Sequence, residues 1–157
     1  MTTILYPTRG GDNTHRNQDW AFSLATEQEA RLLLLYVSNV RFLEHMLTPV
    51  SIDRVWEELD ALGEFLLTMA QDRADRVGVT ADKAIRHGGF REALKAVIEE
   101  EDVSVVVLGR PAQETAITTV DYIQNVAEYL TAETGVEVYL IHEGQVVEHL
   151  LPQDAGE

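Results

Sequence analysis

The chain has 157 residues, 45% hydrophobic and 25% charged, which is the balance of one folded domain with a sizeable core and not of a disordered chain. Its 27 acidic and 12 basic residues give a formal net charge of −15, a field that repels nucleic acid and anionic lipid, so neither nucleic acid nor membrane is an expected partner. The absence of cysteine excludes disulfides and thiolate metal sites. Leu32 to Val37, the longest apolar run, falls far short of the roughly 18–20 residues of a membrane span. No charged segment followed by an apolar one marks a signal peptide, and a cytoplasmic location is expected.

Thr3 to Tyr6 reads as a short apolar strand, closed by Pro7 and turned by Gly10-Gly11. Asn13 or Thr14 can cap a following helix whose stripe is Trp20, Ala21, Leu24 and Ala25 and which ends near Glu29. Ala30 to Val37 is a second buried strand. Ser38 to Ser51 has no clear period, and Pro49 marks it as loop with room for a turn of helix. Ile52, Val55, Trp56, Leu59, Leu62, Leu66, Met69, Ala70 and Val77 then recur mostly at steps of three and four, which predicts a long helix stopped at Gly78. Trp56, Leu59 and Leu66, with Trp20, are expected in the core. Gly63 lies inside that stripe, where glycine costs about 1 kcal/mol against alanine, so close packing of a neighbour would explain it.

Val79 to His87 alternates, as suits a strand with one covered face or an edge strand. After Gly88-Gly89, the residues Phe90, Ala93, Leu94, Val97 and Ile98 form a short amphipathic helix. Its end, Glu99 to Asp102, opposes the helix dipole and is expected to be solvated. Val103 to Gly109 is apolar at nearly every position, the pattern of a central parallel strand buried on both faces. Val120, Ile123, Ala127 and Leu130 mark the last long helix, Gly135 its stop, and Val136 to Ile141 a fifth strand. Glu143-Gly144 is a two-residue hairpin linker, which predicts a sixth, antiparallel strand over Gln145 to Leu150.

Strand and helix alternation predicts an α/β fold: a doubly wound five-stranded parallel sheet, order 3-2-1-4-5, with helices on both faces and a C-terminal antiparallel strand. One domain over residues 1–151 is expected, with a disordered tail at 152–157. In that order the switch point lies between the first and fourth strands, and ligands bind in the loops leaving their carboxyl ends.

Those loops carry a family resemblance. Ile4-Leu5-Tyr6-Pro7-Thr8-Arg9-Gly10-Gly11 resembles the opening of universal stress proteins. Val105-Val106-Val107-Leu108-Gly109 is similar to their fourth strand and first loop glycine. Ile85 to Leu94 fits their third strand and following helix, and Val126-Ala127-Glu128 with Val136 to Ile141 fits their last helix and strand. Together these cover roughly residues 2 to 142. The resemblance implies a nucleotide cleft whose positions here are Thr8, Arg9 and Gly10 after the first strand, Val37 at the end of the second, and Leu108, Gly109, Arg110 and Ala112 after the fourth. Gln124 and Asn125 stand where the last glycine–hydroxyl pair falls.

Members that bind ATP use an Asp after the first strand and a Gly-x2-Gly-x9-Gly-(Ser/Thr) loop, whose glycines admit phosphate to backbone N–H groups. This chain keeps Gly109 but has Arg9 for the acid, Ala112 for the second glycine, and bulky Gln124-Asn125 two residues too late. Arg9 has donors and no acceptor for an adenine amino group. No cofactor is therefore expected, with ATP and AMP disfavoured. Alternatively, Arg9, Gly109 and Arg110 form an altered pocket for a nucleotide or another anion, unless each arginine pairs with a surface carboxylate.

His142 and His149 can approach across the hairpin, but no metal-ligand spacing supports them, and His87 lies at a strand's carboxyl end beside a possible pocket. Neither a Gly-x-Ser-x-Gly elbow nor a Gly-x4-Gly-Lys-(Ser/Thr) loop is present. The expected function is binding or regulation without catalysis, and the expected assembly is a homodimer. Its surface would be the Val136–Ile141 edge strand, the last helix or the C-terminal tail.

Overall fold

A computed structural model describes residues 2–8, 14–38, 49–110 and 120–152. In chain order these form β1 (Thr3–Pro7), α1 (Thr14–Glu27), β2 (Arg31–Ser38), α2 (Pro49–Arg76), β3 (Ala81–His87), α3 (Phe90–Glu100), β4 (Val105–Gly109), α4 (Val120–Thr134), β5 (Glu137–His142) and β6 (Gln145–Leu150). They make one six-stranded sheet in the order β3-β2-β1-β4-β5-β6. The first five strands run parallel, with Leu5 beside Leu33 and Val106, and Val106 beside Val138. Only β6 runs antiparallel, on β5. The doubly wound fold and the sixth strand are as the sequence predicts, and the tail at 153–157 lies outside the described residues.

Alternation sorts the strand residues to two faces. Ile4, Tyr6, Leu32, Leu34, Val105 and Val107 pack beneath α1 and α2. Leu5, Leu33, Leu35, Val106, Leu108 and Leu140 pack beneath α3 and α4. The four leucines from Leu32 to Leu35 are each at most 1% exposed, so both faces of β2 are covered. Each such side chain contributes roughly 1.5–3 kcal/mol on burial, whereas an exposed ion pair contributes about 1 kcal/mol at most. The sheet core, and not the many surface carboxylates, therefore fixes the fold.

Two expectations for α2 are sharpened. Of the loop and the turn of helix that the sequence allows at Pro49, the helix forms: Pro49 opens the described α2, which suits a residue with fixed φ and no N–H to satisfy in a first turn. The large-apolar stripe is not wholly the buried face. The fully covered positions are Gly63, Leu67, Ala70 and Ala74, while Leu62, Met69 and Val77 are exposed. Small residues face the sheet because the helix lies close to it. A Cβ placed on Gly63 would stand 2.5 Å from Cδ1 of Tyr36 on β2, which gives that glycine its packing reason.

At the other sheet edge the hairpin forms as predicted. Glu143 and Gly144 both have positive φ, the geometry that matches a two-residue turn to strand twist. His142 stands opposite Gln145, and His149 opposite Tyr139, so the two histidines are not cross-strand partners. His149 instead stacks on the Tyr139 ring at 4.0 Å and bonds Glu137 at 3.0 Å. The acidic end of α3 is only partly solvated: Glu100 meets Arg86 and Glu101 meets Arg31. β3, as its alternation suggests, is the opposite edge strand.

Gly63→Ala should destabilise the protein by about 1–3 kcal/mol in urea unfolding, because overpacking against Tyr36 outweighs the gain of about 1 kcal/mol in helix propensity. A more stable variant would contradict the close approach.

Candidate functional site: the carboxyl ends of the central strands

The strand order places the switch point between β1 and β4. Thr8 is buried just beyond β1, and its N–H donates to the Leu35 carbonyl at 2.8 Å. Val37 packs half-buried near the end of β2, Leu108 is buried in β4, and Gly109 closes that strand. The Arg110 N–H donates to the Ile141 carbonyl at 2.8 Å, and the Gly88 N–H to the Ser38 carbonyl at 2.9 Å. The structure thus brings Thr8, Val37, Leu108, Gly109 and Arg110 to one rim. Arg9, Gly10 and Ala112 lie outside the described residues.

Gln124 and Asn125 are not at a helix N-terminus. α4 is described from Val120, so they are its fifth and sixth residues, past the four whose N–H groups are free in a helix. Their amides close intrahelical bonds and cannot cradle a phosphate. The Gln124 side chain contacts Glu128 at 3.4 Å, and Asn125 is exposed.

Gly109 has a neighbour that the sequence did not reveal. A Cβ there would lie 2.9 Å from Nδ2 of Asn17, a residue of α1 that is 5% exposed. The other end of the same carboxamide accepts a hydrogen bond from the Gly144 N–H at 2.9 Å. Gly144 itself sits against Arg16, whose carbonyl oxygen would be 3.2 Å from an added Cβ. Asn17 therefore joins α1, the end of β4 and the β5–β6 turn. Asparagine is a poor helix former, and its place early in α1 was the one available signal of a tertiary role.

Two further polar groups mark this end of the sheet. Ser38 is 2% exposed, and its Oγ has no hydrogen-bond partner among the described residues. His87, in register with Ser38 across β2 and β3, bonds Asp60 of α2 through Nε2 at 2.7 Å and stacks on Trp56 at 4.3 Å. Trp56 is thus half-buried at the rim and not in the core. Trp20, also half-buried, lies against Tyr139 at 5.0 Å. Among the described residues no carboxylate pairs with the Arg110 side chain, and no three His, Asp or Glu side chains cluster to hold a metal. None of the described helices is long and apolar enough to cross a membrane. Two open depressions, of about 440 and 490 Å³, include Arg31, Val79, Asp82, Phe22 and Val77 in their walls, away from the switch-point rim.

Tyr6, beside the rim at the end of β1, has its pKa pushed upward by burial, with the Arg73 charge opposing. Burial also raises Tyr36, helped by Asp60, and Tyr139, helped by Glu137.

A parallel sheet whose strand order reverses between β1 and β4, with helices on both faces, defines a doubly wound α/β domain. Residues 1–142 match the model of the universal stress protein family, and the chain belongs to that family. Among solved structures it is similar to the universal stress protein UspA of Lactobacillus plantarum, with 18% identity and a TM-score of 0.70 over 90% of this chain and 97% of that one. An Arabidopsis thaliana family member with AMP bound is 14% identical, with a TM-score of 0.61 over 90% and 91%. An Archaeoglobus fulgidus member in complex with dAMP is 12% identical, with a TM-score of 0.57 over 90% and 97%. At these identities the likeness carries the fold. No curated protein matches the sequence.

Two outcomes are expected. Asn17→Ala leaves the Gly144 N–H without its acceptor and should weaken the hairpin by about 1 kcal/mol, read as roughly fivefold faster hydrogen exchange in β6; unchanged protection would contradict the tie. The raised tyrosine pKa values mean that the fold holds the protonated phenols. Stability should be intact below pH about 10 and fall as pH rises past it, which alkaline unfolding followed by circular dichroism will show. A fold equally stable well above that pH would contradict it.

Proposed function

We propose that this universal stress protein domain acts as a non-catalytic, cytoplasmic binding or regulatory module, through a protein partner or a second copy, without family-type ATP binding. The observation that carries this reading is the Asn17 carboxamide on Gly109. In the family pattern a glycine here opens the backbone to a phosphate, whereas here the freed space is occupied by the chain's own side chain, itself anchored to Gly144. The position of Gln124 and Asn125 inside α4 supports the same conclusion, since a phosphate needs free N–H groups. A hydrolase reading has no support among the described residues, where His87 bonds Asp60 and no base bonds Ser38 Oγ.

For the homodimer expected at Val136–Ile141, α4 or the tail, β5 is paired on both sides within the chain, which leaves α4 and β6 as the surfaces in that region.

A second reading is favoured by the orphaned Ser38 hydroxyl together with an Arg110 that has no carboxylate partner among the described residues. A buried polar atom without a partner is costly unless a ligand or water completes it. On this reading the rim binds a nucleotide or smaller anion in an altered pose, with Arg9 and Arg110 as cationic groups, and the AMP and dAMP of the two relatives indicate the ligand class.

Calorimetry with ATP, AMP and inorganic phosphate separates the two. The first reading predicts no saturable heat in the micromolar range. Micromolar binding that is lost in Arg9→Ala and weakened in Ser38→Ala would overturn it in favour of the second.

A further inference from the structure

The longest helix carries a second apolar face. Leu62, Phe65 and Met69 of α2 are 46%, 60% and 48% exposed, while the same helix buries Gly63, Leu67, Ala70 and Ala74 against the sheet. At about 100° per residue the three exposed side chains fall within roughly 60° of arc. Continued in alternating steps of four and three, that line passes through Glu58, Leu62, Phe65, Met69, Asp72 and Arg76, all exposed. A contiguous line of large apolar residues on a helix already packed on its other side marks an interaction surface.

The spacing also says what covers it. The steps read the same from either end, so a two-fold axis at position 67 sets Phe65 of one copy opposite Met69 of the other. The same axis sets Glu58 opposite Arg76. The remaining pair, Leu62 with Asp72, adds nothing of its own. A parallel arrangement would stack Glu58 on Glu58 and Arg76 on Arg76, and like charges oppose it. Arg76 is free to change partner, because its present bond to Asp72 at 2.8 Å joins two exposed groups and is worth little. Anionic membrane is a poor occupant, since Glu58 and Asp72 lie on the line and Glu57, Glu64 and Asp75 are exposed on the same helix.

We propose that the exposed Leu62–Phe65–Met69 face of α2 is a self-association surface, on which two copies pair as antiparallel helices through Phe65–Met69 contacts closed at each end by Glu58–Arg76 ion pairs. A C2 contact of this kind is isologous and therefore closes as a dimer. One helix face is a small interface, so the dimer is weak and reversible, of the kind used in regulated encounters. It goes beyond the function proposed above, does not depend on what the rim binds, and uses a different surface from α4 and β6.

The test is sedimentation equilibrium and light scattering on the full chain across the micromolar range, with circular dichroism as the check that each variant folds. The wild type should show a monomer–dimer equilibrium. Phe65→Glu, at an exposed position that the fold does not need, should weaken it at least about 30-fold. Glu58→Arg and Arg76→Glu should each weaken it a few-fold, and the double variant Glu58→Arg/Arg76→Glu should restore it, which a merely structural role would not do. Val147→Glu, on the exposed side of β6, tests the rival surface, and Phe65→Glu should weaken association as much in that background as in the wild type. A wild type that stays monomeric throughout overturns the proposal. So does a dimer indifferent to Phe65→Glu, a double reversal without rescue, or a dimer broken by Val147→Glu alone, the last pointing to β6 instead.

Discussion

Burial of β1, β2 and β4 on both faces is the constraint from which the rest of the molecule follows. Leu32 to Leu35, Ile4, Leu5, Val106 and Val107 are all essentially inaccessible, so helices must cover the sheet above and below. Parallel neighbours require crossovers, and right-handed crossovers lead to one switch point, between β1 and β4. The position of the switch point is thus a by-product of core burial. Its chemistry is a separate matter, set by whichever side chains the loops and helix ends deliver there.

In this chain the delivery has been turned inward. The strand ends are laced by backbone bonds from Thr8, Gly88 and Arg110 to neighbouring carbonyls. Gly109 is retained, yet the space it leaves is filled by Asn17, which also holds the turn that positions β6. A loop glycine, which can admit a ligand to the backbone, can equally admit the protein's own carboxamide. The capped edge and the occupied glycine are therefore parts of one arrangement: the hairpin that covers β5 is anchored by the residue that sits on the β4 loop.

The strands were legible because an uncharged β-branched or leucine run has few alternatives to a buried strand, and the Glu143-Gly144 hairpin because its turn chemistry is local. α2 was legible as a helix and misread in its orientation. Its large residues suggested one face, but the sheet is met by Gly63, Ala70 and Ala74, which allow the axis to approach Tyr36, and Leu62 and Met69 point away. Size and burial part company where a helix lies close to its sheet. At the site, Thr8, Leu108, Gly109 and Arg110 could be placed from strand order alone. Asn17 and the Trp56–His87–Asp60 group could not, since each joins residues distant in sequence, and no spacing rule encodes which side chain will lie on a given glycine.

The central claim is that the face of Gly109 is occupied by the protein itself. The most direct measurement is a 15N-resolved NMR titration with ATP, following the Thr8, Gly109 and Arg110 amides and the Asn17 side-chain NH2. The account predicts an Asn17 NH2 pair held in one slowly exchanging environment and unmoved by nucleotide, with the three amides equally unmoved. Saturable shifts centred on Gly109 and Arg110, with the Asn17 resonances displaced in step, would contradict it.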